Sequence, residues 1–115
     1  MPVGRVVPRQ QAYRDIDSAL DYLLEEANPS VANRFIDAVE SAFAHLAHFP
    51  ESGSPRLAHE LEIPDLRSWP LRGFPYLICY VVQNETVDVW RVLHQQRDIP
   101  TWLTGLEREG STPPR

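Results

Sequence analysis

The segment Arg91-Val92-Leu93-His94-Gln95-Gln96-Arg97-Asp98 sets one histidine between two arginines in a chain of 115 residues. Cleaving RNA without a metal requires a base near the 2′-hydroxyl, an acid for the departing 5′-oxygen and cations over the phosphate. His94 with Arg91, Arg97 and Arg67 could supply much of that set. The other histidines offer less. His45 and His48 end an apolar-periodic segment, where cations favour a helix dipole, and their spacing is a weak metal signal without a third ligand. His59 stands in a polar stretch. Neither a metal nor a cofactor is expected. Cys79 is the only cysteine; it sits inside the apolar run Leu77 to Val82, which excludes an intramolecular disulfide and reads as a small buried hydrophobe.

All eleven basic side chains are arginine, which favours planar, forked contacts with carboxylate or phosphate. The net charge of −5 is unevenly distributed. From Ala12 to His48 seven acids face two bases, so this segment carries the entire net charge and is a poor surface for nucleic acid. Between Leu66 and Asp98 four arginines (Arg67, Arg72, Arg91 and Arg97) face three acids. The absence of a dense basic face weighs against a nuclease, because affinity for nucleic acid comes largely from phosphate neutralisation. Trp69 precedes Pro70 in what reads as an edge strand, where an exposed indole suits a partner-binding site. Tyr80 and Trp90 read as core packing on neighbouring strands. Arg67 beside Asp65 reads either as a surface ion pair or as a contact with a partner.

These residues need a frame. Val3 to Val7 is a β-branched run ended by Pro8, long enough for an outer strand. Ile16, Ala19, Leu20, Leu23 and Ala27 follow helical spacing, with Asp15, Asp17, Asp21 and Glu25 mainly opposite, which predicts an amphipathic helix from about residue 10 to 27. Asn28-Pro29-Ser30 supplies caps and a first-turn proline for a second helix, whose apolar positions Ala32, Phe35, Ile36, Val39, Ala42, Phe43 and Leu46 run to Pro50. Two such helices joined by a few residues form an antiparallel hairpin. Pro50 to Pro64 reads as loop. Leu66 to Leu71, Tyr76 to Val82 and Thr86 to Leu93 read as strands, the last two joined around Gln83-Asn84-Glu85. Asp98-Ile99-Pro100 can start a short final helix through Trp102, Leu103 and Leu106.

Six strings occur in one order: Ala12-Tyr13-Arg14-Asp15-Ile16, Ala32-Asn33-Arg34-Phe35, Pro50-x-x-Gly53, Pro64-Asp65-Leu66-Arg67, Phe74-Pro75-Tyr76-Leu77-Ile78-Cys79-Tyr80 and Arg91-Val92-Leu93-His94-Gln95-Gln96-Arg97-Asp98-Ile99. In this order the chain resembles the RelE/ParE toxin superfamily of type II toxin–antitoxin systems, and the ParE branch most closely, over about residues 3 to 103. The resemblance implies an α+β fold: an N-terminal strand, an antiparallel helical hairpin packed on a small, mainly antiparallel sheet, and a short C-terminal helix. A single domain over 1–107 is expected, with a disordered tail at 108–115.

The resemblance further implies a cytoplasmic toxin that inhibits growth, bound as a hetero-oligomer by a cognate ParD-like antitoxin, with no membrane association. The ParE branch is associated with poisoning DNA gyrase or another topoisomerase by binding; the RelE branch cleaves mRNA on the ribosome. A binding-type toxin without catalytic residues is therefore expected. A metal-independent mRNA endonuclease using His94, Arg91, Arg97 and Arg67 is the alternative, and an inactive antitoxin-binding remnant is a third reading. In ParE-branch sequences the histidine of the Arg-Val-Leu-His motif can brace the strand end against the hairpin. The candidates for contact with target or antitoxin are Arg67, Trp69, Arg72, Arg91, His94 and Arg97.

Overall fold

The β-branched run at the N-terminus forms β1 (Arg5–Pro8), and the first amphipathic segment forms α1 (Gln10–Glu26) in a computed structural model that describes residues 4–100. Ala12 and Ala19 are buried on the inner stripe of α1, with Ile16, Leu20 and Leu23 packed beside them. The second helix, α2 (Pro29–His48), starts where the sequence suggests: the Asn28 side chain accepts from the Val31 N–H at 3.0 Å, with Pro29 in the first turn. It buries Ala32, Phe35, Val39, Ala42 and Leu46. Ile36, assigned to that face by its spacing, lies at its margin and is exposed.

The sheet has the order β1-β4-β3-β2. Three of its strands are β2 (Arg67–Pro70), β3 (Tyr76–Gln83) and β4 (Thr86–His94), which form an antiparallel meander, while β1 pairs in parallel with β4. β3 and β4 meet in a two-residue turn, Asn84-Glu85, both with positive φ, the geometry that matches the twist of a hairpin. A register shift between Cys79 and Tyr80, whose partners are Arg91 and Val89, leaves Trp90 as the extra residue of a β-bulge. The bulge resets the alternation, so Val87, Val89 and Val92 all join one core.

β3 is apolar on both faces, and each face needs a cover. Tyr76, Ile78 and Tyr80 meet the helical hairpin. Leu77, Cys79 and Val81 meet Leu57, Leu61, Ile63 and Leu66, which belong to and follow a short helix, α3 (Arg56–Leu61). This corrects the sequence reading of Pro50 to Pro64 as loop. Six residues with two inward leucines are too short to show a period, and the helix persists because it roofs the second sheet face. Residues 98–100 are helical, the start of the expected C-terminal helix. Trp102, Leu103, Leu106 and the expected tail lie outside the described residues.

Candidate functional site

The candidate residues fall into separate clusters, positioned by different elements. The first lies where β1 ends. β1 follows β4 only as far as Val89, and beyond that point the edge of β4 is closed by α1: Asp15 accepts the Val92 N–H at 2.9 Å. The same carboxylate grips Arg91 through two bonds of 2.8 and 3.0 Å. Both side chains are largely buried, so the guanidinium expected to face a target is committed to the fold.

His94 continues this end of the strand. Its N–H donates to Asp98 Oδ2 at 2.9 Å, and its Nδ1 receives the backbone N–H groups of Gln96 and Arg97, each at 3.2 Å. Two converging donors make Nδ1 an acceptor and place the ring proton on Nε2. The ring packs edge-on against Tyr76 at 5.2 Å. His94 therefore braces the turn after β4, where the sequence suggested a brace against the helical hairpin. Arg97 pairs with Asp98 at 3.0 Å and lies over the Tyr22 ring at 5.8 Å. Burial pushes the Asp98 carboxyl up, but the bonds from Arg97 and the His94 N–H and the nearby positive charge outweigh it and hold the group below its ordinary value. The Asp98 hydrogen bond in turn raises Arg97 above its usual range.

Arg67 stands apart from this cluster. It pairs with Tyr80 across the sheet, whereas His94 pairs with Tyr76, so the two sit about 13 Å apart along β3 at ~3.3 Å per residue. Its Nη1 donates to the carbonyls of Glu51 and Gly53 at 3.0 and 2.9 Å, and it makes no ion pair with Asp65. The Tyr80 hydroxyl holds the same turn, donating to the Pro50 carbonyl at 2.7 Å and accepting from the Gly53 N–H at 2.9 Å. A Cβ on Gly53 would stand 2.5 Å from that hydroxyl and 2.9 Å from the Ser68 carbonyl, which is why the Pro-x-x-Gly motif ends in glycine. Burial raises the Tyr80 phenol above its ordinary range, partly offset by the Gly53 bond and the Arg67 charge. A groove of about 660 Å³ beside this turn is lined by Glu51, His59, Glu62, Asp65, Arg67 and Val82, among others.

Trp69 and Arg72 belong to a second groove, about 620 Å³, between α2 and the edge strand β2. The Trp69 indole stacks on His45, 4.5 Å between ring centroids and 16° from parallel, and His45 Nε2 meets Ser52 Oγ at 3.0 Å. Arg34, Asp37 and Ser41 of α2 line one side; Pro70, Leu71 and Arg72 line the other. Arg34 and Arg72 are exposed and, among the described residues, neither makes an ion pair. The open edge of β2 is already used at Ser68, which exchanges two backbone hydrogen bonds with Ser54, and Pro70 has no N–H to offer.

The six sequence candidates are thus not assembled as one surface. Trp69 and Arg72 share a groove, Arg91, His94 and Arg97 share the end of β4, and Arg67 anchors a turn. Sequence reasoning passed over Asp15, Arg34, His45 and Gly53 as site residues. Asp15, Arg34 and Gly53 do lie in the motif strings, but nothing local marks which side chain each would meet. Among the described residues no group of three or more His, Cys, Asp or Glu could hold a metal ion, and no helix is long and apolar enough to cross a membrane.

The family described as ParE toxin of type II toxin–antitoxin system, parDE, matches residues 6–99. The chain is 27% identical over 101 residues to Toxin ParE3 of Caulobacter vibrioides, a match covering 88% of this chain and 96% of that one. Its fold is similar, with a TM-score of 0.68, to a solved chain described as "Chromosomal ParDE TA system from P. aeruginosa", at 17% identity over 82% of this chain and 98% of the other.

Proposed function

The chain belongs to the ParE toxin family of type II toxin–antitoxin systems, and from that membership we propose that it is a growth-inhibiting toxin of the cytoplasm, neutralised by a cognate ParD-like antitoxin, that inhibits DNA gyrase or another topoisomerase by contact. The observation that favours contact over phosphodiester cleavage is the state of the Arg91–His94 end. The lone pair of His94 Nδ1 is taken by two backbone N–H groups, Arg91 is neutralised by Asp15, and Arg67 lies toward the other end of β3. A base and a phosphate clamp are not assembled there. Arg72 is exposed, whereas Trp69, expected as an exposed indole, is half-buried against the core with part of its ring open to the groove; the two are the better placed of the six candidates for meeting a protein, since arginine and tryptophan are favoured interface anchors.

The test runs the purified toxin in two parallel assays, with gyrase, ATP and supercoiled plasmid, and with translating ribosomes. Inhibition or trapped cleavage in the first is the expected result. An inactive first assay with cut mRNA in the second would replace this reading by the endonuclease, and inertness in both, together with harmless expression in a bacterial host, would leave a domain that only binds antitoxin.

A further inference from the structure

We infer that the outer seam of the helical hairpin, where Tyr13 and Leu24 of α1 and Ile36 of α2 are left exposed beside a row of acids, is the surface that docks on the toxin's target, and that it fits a cationic protein surface with an apolar patch. The assignment rests on the topoisomerase reading above and adds the face and the chemistry of the contact.

Among the described residues the exposed large apolar side chains are Val7, Tyr13, Tyr22, Leu24, Ile36 and Phe49. Three of them are scattered: Val7 lies on β1, Tyr22 lies under the Arg97 guanidinium, and Phe49 lies against His45 and His48. The other three are brought together by the hairpin. At roughly 100° per residue, Tyr13, Leu20 and Leu24 fall within about 40° of one another on α1. The opposite flank of α1, with Asp15 and Tyr22, meets Arg91 and Arg97 at the end of β4, so this row looks toward α2. On α2 the flank bearing Arg34, Ser41 and His45 lines the β2 groove, so Ile36 and Phe43, on the other flank, look toward α1. Leu20 and Phe43 are half-buried against the core, while Tyr13, Leu24 and Ile36 keep 55%, 51% and 38% of their surface exposed along the seam. No described element covers them.

Charge decides what covers them. Beside the stripe, Asp17, Asp21 and Glu25 stand at successive i, i+4 positions of α1, all exposed and none in an ion pair among the described residues. Like charges at that spacing destabilise a helix, and Glu25 and Glu26 oppose the dipole in a last turn that holds no base. This row therefore works against the stability of its own helix, a conflict expected where side chains serve a contact. The hairpin segment carries the whole net charge of −5, so a second copy of this chain, a nucleic acid and an anionic membrane are all repelled from the seam. A protein that handles DNA must present arginine and lysine to neutralise phosphates. A topoisomerase thus offers a cationic surface of the matching sign, which steers the acids in, and the exposed tyrosine, leucine and isoleucine supply the anchors that hold once docked.

The experiment measures inhibition of DNA gyrase supercoiling by the full chain, the melting temperature of each variant, and binding of the full-length product of the adjacent reading frame. Asp17→Asn with Asp21→Asn should raise the toxin concentration for half-inhibition about 10- to 100-fold, while the melting temperature rises by roughly 2–6 °C as the like-charge pairs are relieved. Misfolding cannot produce a weaker toxin that is also the more stable protein. Tyr13→Gln with Leu24→Gln should weaken inhibition by about 10-fold or more, with melting within about 4 °C of the wild type. Glu60→Gln with Glu85→Gln, an equal charge change at two exposed acids elsewhere, should stay within about 2-fold. If either hairpin pair inhibits as the wild type does, or if the Glu60/Glu85 control loses as much, the face is wrong while the topoisomerase reading stands. Hairpin variants that keep inhibition and lose the antitoxin would give the seam to the antitoxin and overturn the assignment. If the wild-type chain leaves gyrase untouched, the topoisomerase reading itself fails and this assignment with it.

Discussion

Replacing Tyr80 with Phe removes one oxygen that is bonded on both sides and leaves the ring, which fills the same space between β3 and the helical hairpin. No cavity forms, so the cost is the polar one. Two neutral hydrogen bonds contribute about 1 kcal/mol each, and the Gly53 N–H, buried and without its acceptor, adds a desolvation penalty; together the loss is roughly 2–4 kcal/mol. For a domain of this size about 1 kcal/mol moves the melting temperature by ~4–8 °C, so a fall of roughly 10–20 °C is expected. Urea unfolding should show a lower midpoint at unchanged slope, because the surface exposed on unfolding is the same. Arg67→Ala loosens the same turn by freeing the carbonyls of Glu51 and Gly53. The two changes should therefore couple, with the double variant departing from additivity by about 0.5–1 kcal/mol. A Tyr80→Phe protein within about 0.5 kcal/mol of the wild type, or strict additivity with Arg67→Ala, would refute the reading of Pro50–Gly53 as a turn pinned by these two side chains. It would also return Arg67 to the set of residues free to meet a partner.

Asp15→Ala should be among the most destabilising single changes on α1, by about 3 kcal/mol in urea unfolding, because it strands the largely buried Arg91 guanidinium and the Val92 N–H together. Burial pushes the Cys79 thiol up to about 12, against the opposing Arg91 charge, so the native protein at pH 8 should resist thiol reagents that react within minutes once urea is added. Since the folded value lies above the ordinary 9.0, the neutral thiol's contribution to stability is complete below pH 9 and is lost as pH rises towards 12; Cys79→Ala should flatten that part of the stability profile. His94→Gln should keep toxicity on induction in a bacterial host while lowering stability by about 1 kcal/mol through the turn at Gln96 and Arg97; complete loss of toxicity with an unchanged melting temperature would point back to catalysis.

Both helices of the hairpin were legible in the chain itself. Their spacing of apolar residues repeats over four or five turns, and Asn28-Pro29 marks the junction through atoms close in sequence, so no distant contact is needed to recognise them. β3, β4 and their turn were legible for the same reason, as was β2 near an edge, from the single proline that a central strand would not accept. The order of motifs was enough to suggest the family, because spacing along the chain survives even where each string alone is weak.

Only the tertiary structure decided which side chains meet. α3 has two turns' worth of residues and no period to read, and it is helical because the second face of β3 has to be covered. The four arginines between Leu66 and Asp98 looked alike in sequence, yet Arg91 closes on Asp15 from a helix seventy-six positions away, Arg67 closes on a turn, Arg97 pairs with its neighbour Asp98, and Arg72 is left exposed beside Trp69. The physical reason is that secondary structure is encoded by periodicity over a few residues, whereas the partner of a charge depends on strand register, on a one-residue bulge at Trp90 and on where β1 stops pairing with β4. A charge pattern read along the chain counts arginines; whether each is free to bind or already bound is determined by the packing of elements that the sequence sets far apart.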